Sequence, residues 1–88
     1  MILKKLDKRH KGFGDFTYLA EFTTRESKKF FEIRNWCWDQ WGPGIELELR
    51  HRVPSSSSSW SWTIDDYVLR IYIATDKEYQ WFLLKWHD

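Results

Sequence analysis

The sequence predicts an α+β fold, a two-layer sandwich of one α-helix on a four- to five-stranded, mostly antiparallel sheet in the order β-α-β-β-β-β. Three observations lead there. "GDFTYLAEFTT" alternates Phe16, Tyr18, Ala20 and Phe22 against Thr17, Leu19, Glu21 and Thr23, the period of a half-buried strand. Thr23 then stands three residues before Glu26, a capping-box spacing, and an apolar stripe of helical period runs on to Trp41, where Gly42 and Pro43 stop it. "GIELELRHRV" and the segment after the serine run return to strand-like alternation.

Residues 1–12 are basic and carry no period, so they read as a mobile arm of a single domain spanning 1–88. Along the helix, at about 100° per residue, Phe30, Ile33, Cys37 and Trp41 share one stripe, with Phe31 and Trp38 at its edge. Trp41 is therefore expected as a core ring and Trp38 as a flanking one. Trp36 falls beside Lys29, Glu32 and Asp39 and is the ring the core does not require. Arg34 lies inside the apolar sector, where an arginine lays its stem over apolar neighbours.

Past a left-handed cap at Gly42, the next strand places Ile45, Leu47, Leu49, His51 and Val53 on one side and Glu46, Glu48, Arg50 and Arg52 on the other. Residues 54–59, "PSSSSS", form a flexible serine loop. Trp60, Trp62 and Ile64 alternate in a short strand that turns at Asp65-Asp66. Tyr67 to Ala74 is a strand with Leu69, Ile71 and Ile73 on the helix side; "TDKE" turns again; Tyr79 to Trp86 closes the sheet.

One helix covers one sheet face, so the other face is informative. Both parities of Tyr79 to Trp86 are apolar, which a one-sided strand should not show. With Phe82, Leu84 and Trp86 inward, the outer face carries Tyr72, Trp81, Leu83, Arg50, Arg52, Arg70 and Lys85, and Trp36 is a separate candidate on the helix layer. Arginine mixed with Tyr and Trp is the composition of protein-interface hot spots. It is also that of single-stranded nucleic acid binders.

The 88 residues hold seven Trp, six Phe and four Tyr but one cysteine, and the formal charge is +1. That balance speaks against strong non-specific DNA binding and against an acidic DNA mimic. Lacking an intrachain disulfide, a signal-peptide apolar region in "MILKKLDKRHKG" and any run of about 20 apolar residues, the chain is expected in the cytoplasm and not in a membrane. Catalytic, cofactor and metal residues are assigned to none. His10, His51 and His87 have no ligand spacing to one another or to Cys37, and "KGFGD" is not a phosphate loop. Cys37 has core parity, Asp65 and Asp66 diverge, and Glu46 and Glu48 form a solvated ladder with flanking arginines.

The segment "FFEIRNWCWDQWGPGIELEL", with its N-W-C-W-x-x-W-G helix end, and the terminal "WFLLKW" resemble small uncharacterised proteins of tailed phages over about two thirds of the chain, Phe30 to Trp86. The resemblance implies a bacterial host cytoplasm and an accessory role, and it carries no activity or site residues. The reading that follows is a non-enzymatic, tryptophan-rich phage accessory module making protein–protein contact through the aromatic and arginine sheet face, with a host protein, a phage protein or a second copy as partner. The alternative is a single-stranded RNA or DNA binder using the same face.

Overall fold

The computed structural model describes residues 1–9, 16–46, 59–65 and 67–86. Alternation gives β2 (Tyr18–Thr23), whose Ala20 and Phe22 turn to the helix side while Leu19 turns away. Thr23 ends the strand and starts a 3₁₀ turn (Thr24–Glu26), where the Glu26 carboxylate accepts the Thr23 backbone N–H at 3.1 Å in the expected capping box. The turn runs into α1 (Ser27–Trp41), which buries Phe30, Ile33 and Cys37 on one stripe as its periodicity demands.

The stop at Gly42 is glycine-specific, but not as a left-handed helical cap. Gly42 takes φ 79° with ψ −175°, an extended conformation at positive φ that glycine alone adopts readily. The chain thereby leaves α1 extended into the two-residue β3 (Ile45–Glu46), which pairs parallel with β4 (Trp60–Ile64). The remainder of the "GIELELRHRV" strand and the serine loop, 47–58, lie outside the described residues.

Strand β4 pairs antiparallel with β5 (Val68–Ile73), which pairs antiparallel with β2 in the register Ala20↔Ile71 and Glu21↔Arg70. The β4–β5 hairpin closes on a bond from the Asp65 N–H to the Val68 carbonyl at 2.9 Å, later than an Asp65-Asp66 turn would place it. Leu69, Ile71 and Ile73 face the helix side as expected and join Ala20, Phe22, Phe30, Ile33 and Cys37 in the main core. The architecture is thus the α+β two-layer arrangement the sequence predicts, with a mostly antiparallel five-stranded sheet.

Two elements correct the predicted order. The start of the basic segment is not an arm: Ile2–Lys5 is strand β1, antiparallel on β2 at the sheet edge, giving the order β1-β2-β5-β4-β3. Tyr79 to Trp86 is not a strand but most of a second helix, α2 (Asp76–Trp86). Thr75 caps it, accepting the Glu78 backbone N–H at 3.2 Å and donating its hydroxyl to the Glu78 carboxylate at 2.6 Å. "TDKE" is therefore a helix N-cap and not a hairpin turn. The double-sided apolarity that contradicted a strand has a simple cause, because Tyr79, Phe82, Leu83 and Trp86 stand at i, i+3, i+4 and i+7.

The largest fully buried ring is also not the one expected. Trp41 is half-buried at the rim, whereas Trp60 is completely buried. Trp60 donates its indole N–H to the Gly42 carbonyl at 2.9 Å, and a β-carbon at Gly44 would come within 2.5 Å of its ring. Gly-Pro-Gly is thus shaped around one indole: Gly42 supplies the bend and the acceptor, Gly44 the space.

Candidate functional site

Of the seven residues expected on the outer sheet face, those the structure describes do not share one face. Arg50 and Arg52 lie outside the described residues. Tyr72 and Arg70 are on the sheet face away from the helices; Trp81, Leu83, Lys85 and Trp36 are all in the helix layer.

The far sheet face is covered from within the chain. Tyr72 is buried in a second, smaller core with Leu6, Phe16 and Leu19, its ring 5.9 Å from that of Phe16. The Leu6 N–H bonds the Thr17 carbonyl at 2.8 Å and fixes the segment after β1 against the sheet. The expected exposed Tyr72 is therefore corrected: apolar residues supplied by the segment joining β1 to β2 are its partners. Arg70 beside it is held by Glu21 at 3.1 Å and Asp65 at 2.9 Å, and Lys4 reaches Glu21 at 3.5 Å. A cavity of about 430 Å³ opens here over Leu19, Tyr72 and this network, but Lys4, Glu21, Asp65 and Arg70 already pair with one another and Arg9 at its edge pairs with Asp7.

The helix layer is different. Contacts fix α1 and α2 as antiparallel neighbours: Trp36 meets Phe82 and Trp86, while Gln40 accepts the Trp81 indole N–H at 3.3 Å. Trp36 is the centre of this packing, edge-on to Trp41 at 5.2 Å, to Phe82 at 6.3 Å and to Trp86 at 6.0 Å. It is surplus only if α2 is absent. On the other flank of α2, Tyr79 stacks on Tyr18 at 3.9 Å, and the Tyr18 hydroxyl donates to Asp76, which raises the Tyr18 pKa. Leu83 faces this side and lines a shallow hollow with Leu3 and Tyr79. Arg34 places its guanidinium over Phe31 and Trp62, 4.8 Å from each ring, so its head as well as its stem covers apolar surface.

Several large apolar side chains stay exposed, Tyr67 beside the β4–β5 turn and Trp38 and Phe31 on α1 among them, but the helix layer also holds a groove between the helices with a ridge beside it. About 620 Å³ lies between Trp41 and Trp81 near the start of α2, floored by Thr75 and Glu78. A second hollow of about 270 Å³ continues past Trp36, Gln40 and Lys85. Trp81 is 51 % exposed and Leu84 is 81 % exposed, so the expected inward Leu84 and sheet-facing Trp81 are both corrected to the outer side of a helix. Leu84, Gln40, Trp41 and Lys77 belong to this surface and were not among the sequence candidates. The Thr75-x-x-Glu78 spacing was the signal that could have found them.

Among the described residues no group of three or more His, Cys, Asp or Glu could hold a metal ion, and the three histidines lie outside them. Cys37 is buried in the core, and burial pushes its thiol pKa up, away from a nucleophilic thiolate. Among the described residues no helix is long and apolar enough to cross a membrane. Comparison with known proteins finds nothing to extend this account: no protein-family model, no curated protein and no solved structure matches the chain.

Proposed function

We propose that this chain is a small non-enzymatic binding module that engages a protein partner through the outward surface of α1 and α2. The observation that carries the reading is Leu84 at 81 % exposure beside Trp81 at 51 %, at the edge of a groove lined by Trp41 and Trp36. A lone exposed leucine needs no explanation. A leucine and a tryptophan side by side, with two further indoles behind them and lysines at the rim, have the make-up of an interface centre. The aromatic and arginine sheet face is not the contact surface in this reading, because Tyr72 is buried and Arg70 is ion-paired. The setting is the cytoplasm of a bacterial host and the role a phage accessory one, on the strength of the sequence resemblance alone.

The test is affinity capture from a bacterial lysate with the native chain, Leu84→Asp and Trp81→Ala, each with and without nuclease. Loss of a captured protein in both variants, with unchanged melting temperatures and no effect of nuclease, supports the reading. Capture that nuclease abolishes supports single-stranded nucleic acid instead, a use for which Lys77 and Lys85 flanking Trp81 are the relevant groups. Capture unchanged in both variants removes the helix layer from consideration.

A further inference from the structure

The contact surface just proposed has two edges of opposite charge. On α1, Glu32 and Asp39 stand one turn either side of Trp36, at i and i+7 with Trp36 at i+4; both acids are exposed, while Trp36 itself is turned toward α2 and partly buried. On α2, Lys77, Trp81 and Lys85 follow at i, i+4 and i+8, again with both charges exposed. Each helix therefore carries two exposed like charges on either side of a tryptophan, exposed on α2 and packed inward on α1, and the sign differs between the helices. Glu32, Asp39 and Lys77 have no ion-pair partner among the described residues. The acids of α2, Asp76 and Glu78, both lie in its first turn, where they accept hydroxyl hydrogen bonds from Tyr18 and Thr75 and stand about two turns from Lys85.

We infer that the chain forms a two-fold dimer in which α1 of each protomer lies across α2 of its partner. The inference rests on the reading of the helix layer as a contact surface and names what covers it. The antiparallel α1–α2 packing sets the levels: Lys85 stands beside Trp36, and Trp81 beside Gln40. A two-fold axis running along the helices keeps each residue at its level while exchanging α1 for α2. Asp39 of one protomer then comes within about one helical turn, ~5 Å along the axis, of Lys85 of the other, and Glu32 lies a similar distance beyond it. Trp81 and Leu84 meet the outer side of the partner's α1 at the levels between Trp36 and Gln40, at the centre. Lys28, one turn before Glu32, falls past the end of α2 and opposes no lysine. An axis running across the helices would instead stack α2 on α2 and set Lys77 and Lys85 against lysines, which like-charge repulsion disfavours. The two helices, of 15 and 11 residues, span about 22 and 16 Å, so the footprint is at the small end of stable interfaces. Dissociation in the micromolar range is the expected strength.

Sedimentation equilibrium of the full chain from about 1 to 500 µM tests this. The native protein should move from monomer to dimer and no further. Leu84→Asp should weaken association at least about tenfold while leaving the melting curve unchanged. Asp39→Lys and Lys85→Glu should each be monomeric alone, since each places like charges together twice. Mixed, they should form a heterodimer: one half of the interface then pairs the two introduced charges, opposite in sign, and the other half keeps the native Asp39–Lys85 pair. A native chain that stays monomeric throughout, or a mixture that fails to associate when each variant alone is folded, overturns the dimer. The broader contact reading fails separately: a monomer that still captures another protein, and loses it with Leu84→Asp, excludes the second copy and keeps the surface.

Discussion

Trp60 shows how one side chain dictates the composition around it. Its ring is fully buried, its N–H is satisfied by the Gly42 carbonyl, and it leaves no room for a β-carbon at Gly44. Trp60→Ala removes a large ring from the core and should cost about 3–5 kcal/mol, measured by urea denaturation. Trp41→Ala should cost less, because Trp41 is half-buried at the rim. Gly44→Ala makes the same point from the opposite direction. The clash is with core ring atoms at 2.5–2.9 Å, not the tip of a flexible chain, so overpacking of about 1–3 kcal/mol is expected. A Gly44→Ala protein of native stability would show that Trp60 can shift and that the fit is looser than the geometry requires.

The elements differ in how far their residues announced them. Phe30, Ile33 and Cys37 are legible because α1 is long enough to repeat its stripe, and Leu69, Ile71 and Ile73 because β5 alternates between two differently filled faces. α2 was obscured because an eight-residue apolar run satisfies strand and helix periods alike until its cap is noticed. That one element then misplaced Trp81, Leu83, Leu84 and Lys85 and left Trp36 without a partner. β1 has no apolar alternation to read, as an edge strand with Lys4 and Lys5 need not. A Thr-x-x-Glu spacing precedes each helix, as a capping box on the 3₁₀ turn that leads into α1 and as a hydroxyl cap on α2, and both can be tested there. Thr75→Ala should cost about 0.5–2 kcal/mol and raise hydrogen exchange in the first turn of α2. Glu26 also accepts a bond from the Met1 α-ammonium, and this, then the Thr23 N–H, holds its carboxyl below the usual carboxylate range. A depressed folded pKa means the stabilisation is present above the unfolded value and is lost as pH falls through the folded one. The stability gap between native protein and Glu26→Gln should therefore be open at neutral pH and close in acid.

At the scale of the whole molecule, the sheet separates a face closed from within and a layer left open. Phe16 and Leu6 close the far face over Tyr72 and Leu19, so that side adds a second small core to an 88-residue chain. The helix layer buries Phe82 fully and Trp36 and Trp86 in part, and keeps Trp81 and Leu84 outside. Stability and contact should accordingly separate by mutation. Tyr72→Ala opens the small core and should cost about 3 kcal/mol or more. That is a large part of the roughly 4–13 kcal/mol available to a domain of this length, and it should lower the melting temperature by more than about 10 °C. Leu84→Ala removes a side chain that is mostly in water and should leave the melting temperature within about 2 °C of native. It should nevertheless weaken association, because the apolar surface it removes is the part a partner would bury. The decisive comparison is thermal denaturation and sedimentation on the same two variants. If Leu84→Ala melts early and associates normally, or Tyr72→Ala melts normally and associates poorly, then the open layer is the far sheet face and the assignment of the two surfaces is reversed.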